Sequence, residues 1–239
     1  LNVIGTTASH QLTLGLQGPS EQLQASLTGD LDVQQSAWLG SLSGLNVSST
    51  AFGNWELAQA APLALAPQRL ALGETCLLGS ALKPGGQSDA EAARVCAEGE
   101  WSPAQGARLA ARLQTFSMAR LLPELNGELN GELSGALAPG GELTARGGFD
   151  VSPGQMTVDT AQGRQQLVHG GGRLDLVVGP AGLNATLVFK PMQKGQMTAE
   201  LSLPQLHRLP LADTQPLAGR IQVELPDLSG LQGLSLIHI

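Results

Sequence analysis

Residues 125–137 read L-N-G-E-L-N-G-E-L-S-G-A-L. Leu125, Leu129, Leu133 and Leu137 recur every four residues, with Gly127, Gly131 and Gly135 midway between them. Fourfold leucine spacing suits a helix, but each interior glycine would cost a helix about 1 kcal/mol relative to alanine. At a period of two, every odd position is Leu or Gly, and the even ones are Asn126, Glu128, Asn130, Glu132, Ser134 and Ala136. An apolar face backed by a mostly polar one is the pattern of β-structure with one dry side. The stretch is long for one strand, so a turn is expected near one of the glycines. Leucine alternating with glycine also predicts a dry face that is bare in places.

The same alternation continues outward. Upstream, Leu12, Leu14 and Leu16 share a face; after Gly18-Pro19 come Leu23, Ala25, Leu27, Gly29 and Leu31 against Gln22, Gln24, Ser26 and Thr28. Residues 38–49 are less regular, and lead through 52–57 and a Pro-bounded stretch, 62–67, to a strand at 69–72. Val95, Ala97, Gly99 and Trp101 resume the period, then Leu109, Ala111 and Leu113, and 117–122 reads as a short helical turn or bend. Downstream, Leu143 to Val151, Leu174-Leu176-Val178, Leu183-Ala185-Leu187-Phe189, Met197 to Leu203 and Leu217 to Leu225 alternate likewise. Many strands separated by turns, with no helical block between them, predict an all-β antiparallel meander. About fifteen strands are too many for a flat open sheet, so the sheet is expected to curl or fold over.

Composition narrows the function. With 42% hydrophobic but only 3% aromatic residues and no Tyr, the apolar mass is Leu, Ala and Val, where a compact core normally leans on large rings. A net charge of −7 excludes a nucleic-acid partner, which needs basic patches. No run of about 18 apolar residues predicts a membrane-spanning helix, and no signal peptide is seen. The chain starts at Leu1, and Leu234 to Ile239 fits no pattern; residues 1–233 read as one continuous segment of a larger protein and 234–239 as a truncation or sequencing scar.

Cys76 and Cys96 flank the polar run K-P-G-G-Q-S-D-A-E. A metal site needs more ligands than this pair supplies, and no His lies near. A disulfide closing loop 77–95 is favoured over two buried thiols, and implies an oxidising compartment. Closing about twenty residues stabilises by roughly 3 kcal/mol in the chain-entropy picture.

Catalytic machinery is not expected. His10, His169, His207 and His238 are scattered. Gly170-Gly171-Gly172 after His169 lacks a G-x-S-x-G partner and reads as a turn. Glu128 and Glu132 fall on the wet face as solvated side chains. No phosphate loop, dinucleotide fingerprint or cofactor motif occurs. What remains is a Leu-lined surface, the physical description of a hydrocarbon groove.

A family resemblance bears on this. Trp38-Leu39-Gly40, Gly53-Asn54-Trp55-Glu56-Leu57, Leu70-Ala71-Leu72, Cys76, Cys96-Ala97-Glu98-Gly99-Glu100-Trp101, Ala119 to Leu125 and Gly219 to Leu228 follow one another in an order that resembles the central β-rich part of the TamB (translocation and assembly module) family, in the AsmA-like superfamily of bacterial envelope proteins. The resemblance implies a long sheet curled into an open, taco-like groove with a hydrophobic interior, in the periplasm of a Gram-negative bacterium. It implies phospholipid movement between inner and outer membranes, and an outer-membrane barrel partner in protein assembly. The family's inner-membrane anchor and barrel-contacting domain have no counterpart in these residues.

The groove reading takes phospholipid acyl chains as ligand, and expects Leu12, Leu14, Leu16, Leu125, Leu129, Leu133, Leu137, Leu174, Leu176, Leu183 and Leu187 to line it. The alternative is a structural or binding β-sandwich, or a passenger-like module, that carries no lipid. A membrane-spanning barrel is disfavoured, because the aromatic girdles are missing.

Overall fold

The computed structural model describes residues 1–50, 52–80, 93–160, 163–192, 195–207 and 216–225. The tail at 234–239, the centre of the cysteine loop at 81–92 and the stretch after Leu225 lie outside the described residues.

The all-β reading holds. Among the described residues the helical element is a 3-10 turn, Met118–Arg120, at the bend expected within 117–122. The strands are β1 (Asn2–Thr6), β2 (Ser9–Gln17), β3 (Glu21–Asp32), β4 (Ala37–Ser49), β5 (Gly53–Leu57), β6 (Ala61–Ala66), β7 (Arg69–Gly79), β8 (Ala93–Ser102) and β9 (Gly106–Ser117). They continue as β10 (Glu128–Leu137), β11 (Leu143–Val151), β12 (Gly154–Thr160), β13 (Gly163–His169), β14 (Gly172–Gly179), β15 (Gly182–Phe189), β16 (Gln196–Leu203) and β17 (Ala218–Glu224). One large antiparallel sheet takes them in chain order, with β12–β13 set aside as a separate hairpin and β6 pairing β4 and β7. Two compact units make up the chain, Leu1–Thr115 with Glu132–Leu143 and Phe116–Gly131 with Thr144–Ile239.

In the first unit β4 serves two short partners. Its Trp38–Leu42 half pairs β6 and its Asn46–Ser49 half pairs β5, so β5 and β6 share one place beside β7. Pro62 sits in β6, and Gly73 of β7 gives its ring room: a Cβ there would lie 2.5 Å from Pro62 Cγ.

The irregularity of 38–49 has a physical cause. Leu42 and Leu45 are an odd number of residues apart, so a regular strand would send them to opposite faces. The register shifts beside Ser26, where Ser26 faces Gly44 and Leu27 faces Leu42. Ser43 is left over, and its hydroxyl donates to the Ser26 carbonyl at 3.1 Å. That bulge returns both leucines to the apolar face. A second one, between Leu72 and Thr75, does the same for Leu72 and Leu77.

In the second unit the chain bends at Gly127, one of the glycines near which a turn was expected, with φ +143°, and β10 begins after it. β11 pairs directly with β14. The chain between them leaves as the β12–β13 hairpin, whose alternation is too weak to mark strands in the sequence. An isolated bridge, Leu125 to Met156, ties that hairpin to the repeat.

Candidate functional site: the apolar face

Directly opposed residues in an antiparallel sheet project to the same side, so the registers build the face row by row. In the first unit Leu14, Ala25 and Leu45 form one row, and Leu16, Leu23, Val47, Trp55 and Gly79 the next. Another runs Leu31, Trp38, Leu65, Leu70 and Trp101. Val95 faces Leu113, Ala97 faces Ala111 and Gly99 faces Leu109 on β8 and β9.

The second unit repeats the scheme. Phe149, Leu174, Leu187, Ala199 and Ile221 make one row across five strands, and Gly147, Leu176, Ala185, Leu201 and Gly219 the adjacent one. Val178, Leu183 and Leu203 continue beside them.

The eleven leucines named from the sequence fall in both units. Leu12, Leu14, Leu16, Leu133 and Leu137 belong to the first, and Leu125, Leu129, Leu174, Leu176, Leu183 and Leu187 to the second. Leu174 and Leu187 are directly opposed, with Leu176 and Leu183 in neighbouring rows. Leu125 stands off β10, bridged to Met156. None of the eleven is buried: ten are half-buried and Leu16 is exposed.

The glycines between them are not simply bare, as the sequence pattern suggested. A Cβ at Gly29 or Gly40 would lie 2.6 Å from the Trp38 ring, and one at Gly79 2.9 Å from Trp55. In the second unit Gly131 lies under Phe149, and Gly172 under Phe189. Gly40 seats the ring of its own strand and the other four a ring from the neighbouring strand, so Trp38, Trp55, Phe149 and Phe189 lie across glycines of the face.

Two histidines that sequence reasoning left unassigned are structural fasteners. The Trp38 indole donates to His10 Nε2 at 2.7 Å. A carbonyl only accepts, so His10 Nδ1 donates to Thr6 O at 3.1 Å and ties the β1–β2 turn to the indole. His169 is fully buried at the end of β13. Its Nδ1 accepts from the Gly171 N–H at 3.2 Å, so its Nε2 donates to Asn126 O at 2.7 Å. The only advance signal was His169 standing before the Gly170–Gly172 turn.

On the opposite, polar face Cys76 and Cys96 are paired residues of β7 and β8, bonded at 2.12 Å. The disulfide thus clamps two strands that run on beyond it toward the loop. Glu74 comes within 4.8 Å of both sulfurs, but these are spent in the S–S bond and leave no thiolate for a metal. Elsewhere on this face Arg173 bridges Asp175 at 2.7 Å and Asp150 at 2.8 Å. Hydrogen bonds to Asp175, then Asp150, hold its guanidinium above the ordinary value. Partial burial lowers that of Arg120. Glu128 and Glu132 are exposed and Arg173 is engaged with carboxylates, so the apolar face itself offers aliphatic contact rather than acid–base chemistry.

No helix among the described residues is long and apolar enough to cross a membrane. No curated protein and no solved structure matches the chain. One family model does, described as "TamB, N-terminal domain", over residues 1–235, where the sequence resemblance had pointed to the family's central part. That match takes in every strand described above, and the chain therefore belongs to the TamB family of cell-envelope proteins.

Proposed function

We propose that this chain is a periplasmic conduit segment that carries phospholipid between the inner and outer membranes and supports outer-membrane protein assembly. The observation that carries the reading is the state of the eleven leucines. Leu12, Leu14, Leu16, Leu174, Leu176, Leu183 and Leu187 lie in cross-strand rows, and of the eleven not one is buried. Leucines in a closed sandwich core are commonly buried outright. An exposed apolar face of this extent marks a surface that meets an apolar partner.

Acyl chains fit that face physically. A strand of seven or so residues is about 23 Å long, while one leaflet's hydrocarbon is about 15 Å deep, half a bilayer core. The rows named above are built mainly from Leu, Ala, Val and Gly with a few Trp and Phe rings, and none of their side chains is charged. Curling the sheet into an open groove would shield the rows from water and leave the polar face outside. The disulfide suits an oxidising compartment such as the periplasm, and an outer-membrane barrel partner would be engaged through other parts of the protein. Residues 1–233 would then act as one continuous groove.

Photocrosslinkers at Leu14, Leu133 and Leu187 are expected to capture phospholipid in cells, and probes at Glu128 and Glu132 are not. Equal capture from both faces would sink the proposal. Leu133→Asp should block transfer more than it unfolds the sheet, because a charge in an acyl path meets a desolvation cost.

A further inference from the structure

The polar face of the first unit holds a recess of about 890 Å3 on β2, β3, β4, β5 and β7. Its lining fixes which side it opens on. Leu16, Leu23, Val47, Trp55 and Gly79 contribute, with their neighbours on either side along each strand, but Leu14, Ala25 and Leu45, the next row of the apolar face, do not. The recess is therefore floored by the backbone of the Leu16–Gly79 row and walled by side chains that point away from the leucines.

Those walls are amides and hydroxyls. One row runs Gln17, Gln22, Ser48 and Asn54, and the other Gly15, Gln24, Asn46 and Glu56. Ser48 Oγ donates to Asn54 Oδ1 at 2.6 Å. The amides of Gln17, Gln22, Gln24 and Asn46 make no hydrogen bond among the described residues, and a Cβ at Gly15 would meet nothing within 4 Å. Among the described residues no Lys or Arg lines the recess, and Glu56 is the one charged side chain. The polar face elsewhere carries ion pairs, Glu100–Arg108 at 3.5 Å among them.

We propose that this recess binds a neutral oligosaccharide. A phosphate, sulfate or nucleic acid would find no cation among those residues to replace its hydration. An apolar ligand would have to strip water from unpaired amides. A sugar matches the donors and acceptors: each amide offers a carbonyl oxygen and an NH2 side by side, the pattern that meets adjacent hydroxyls. Leu78 on the wall gives an apolar spot for a ring's C–H face. The volume lies within the roughly 300–1,000 Å3 of small-molecule sites, and the recess is open, so the affinity should be weak, in the millimolar range.

The test is titration of the 239-residue chain, in a sugar-free detergent, with chitotetraose, maltotetraose and inorganic phosphate. Side-chain NH2 resonances of Gln22, Gln24 and Asn46 should shift and saturate with at least one sugar and stay still with phosphate. Gln24→Ala combined with Asn46→Ala should weaken that binding roughly tenfold. Both side chains are exposed, so the backbone spectrum should be unchanged. Silence with both sugars at tens of millimolar, equal shifts with phosphate, or full affinity in the double variant would overturn the proposal.

Discussion

The two units face one problem, an apolar face short of large rings, and hold it together differently. In the first, Trp38 and Trp55 lie across glycines of neighbouring strands, His10 anchors one indole, and a disulfide clamps the polar side. In the second the same ring-over-glycine packing uses phenyl groups, Phe149 and Phe189. Its hairpin is fastened by one buried imidazole, whose centroid lies 5.5 Å from that of Phe189. One unit leans on indoles and a covalent bond, the other on a neutral hydrogen-bonded side chain. Each unit's apolar face is built alike, so the fasteners can differ freely between them.

Removing an indole should have the largest effect. Trp38 is almost wholly buried and covers two glycines that offer no side chain to fill the gap. Trp38→Ala should therefore destabilise the first unit by about 3–5 kcal/mol, and free His10 from its partner. Urea unfolding followed at probes in each unit would show it: the first unit's midpoint should fall and the second's should hold. If both midpoints fell together, the units would not be separate in their energetics.

The disulfide comes next. Cys76 and Cys96 are separated by 20 residues in sequence, and the chain-entropy picture gives about 3 kcal/mol for a loop of that size. Cys76→Ser with Cys96→Ser should lower the first unit's midpoint accordingly. β7 and β8 pair on both sides of the bond, so the hairpin should persist. Loss of β7–β8 amide protection would mean that the bond, rather than the pairing, holds these strands. Mass measurement after alkylation should find the wild-type thiols bonded in protein purified without reductant.

Much of this was legible beforehand. Period-two alternation marked most strands, because one dry face leaves a signal in every second residue, and the Leu/Gly repeat was read as β-structure with a turn near one of its glycines. The cysteine pairing followed from spacing and from the lack of other ligands. Other features were not legible. The phase slips at Ser43 and beside Gly73 look like noise until the partner strand shows which residue is left over. β12 and β13 alternate only briefly, with Gln165 interrupting Met156, Val158 and Leu167 on one face, so periodicity does not mark them. Ring-over-glycine contacts join residues such as Trp55 and Gly79, far apart in sequence, and periodicity carries no cross-strand information. The amide-lined recess escaped for a similar reason: Gln17, Gln24 and Asn46 each look like ordinary solvated residues until register sets them side by side.

The smallest expected effect lies in the second unit and is the sharpest test of the contrast. His169 is buried with both ring nitrogens engaged, and joins the base of the β12–β13 hairpin to Asn126 in the bend before β10. Gly154 and Gly127 are shaped around it: a Cβ at Gly154 would lie 2.8 Å from its Nε2, and one at Gly127 3.5 Å from its Cε1. His169→Ala deletes two hydrogen bonds, each contributing on the order of 1 kcal/mol, and leaves the Asn126 carbonyl and the Gly171 N–H to find water. The loss should be local, since β11 and β14 pair with each other without the hairpin. Hydrogen exchange should therefore quicken at 155–160, 163–168 and at Asn126, while amides of β14 and β15 keep their protection. Asn126 N–H, which donates to Gln155 O at 2.8 Å, is the most direct reporter. If β14 and β15 lost protection as well, the imidazole would hold the whole second unit, and its role would equal that of the indoles in the first.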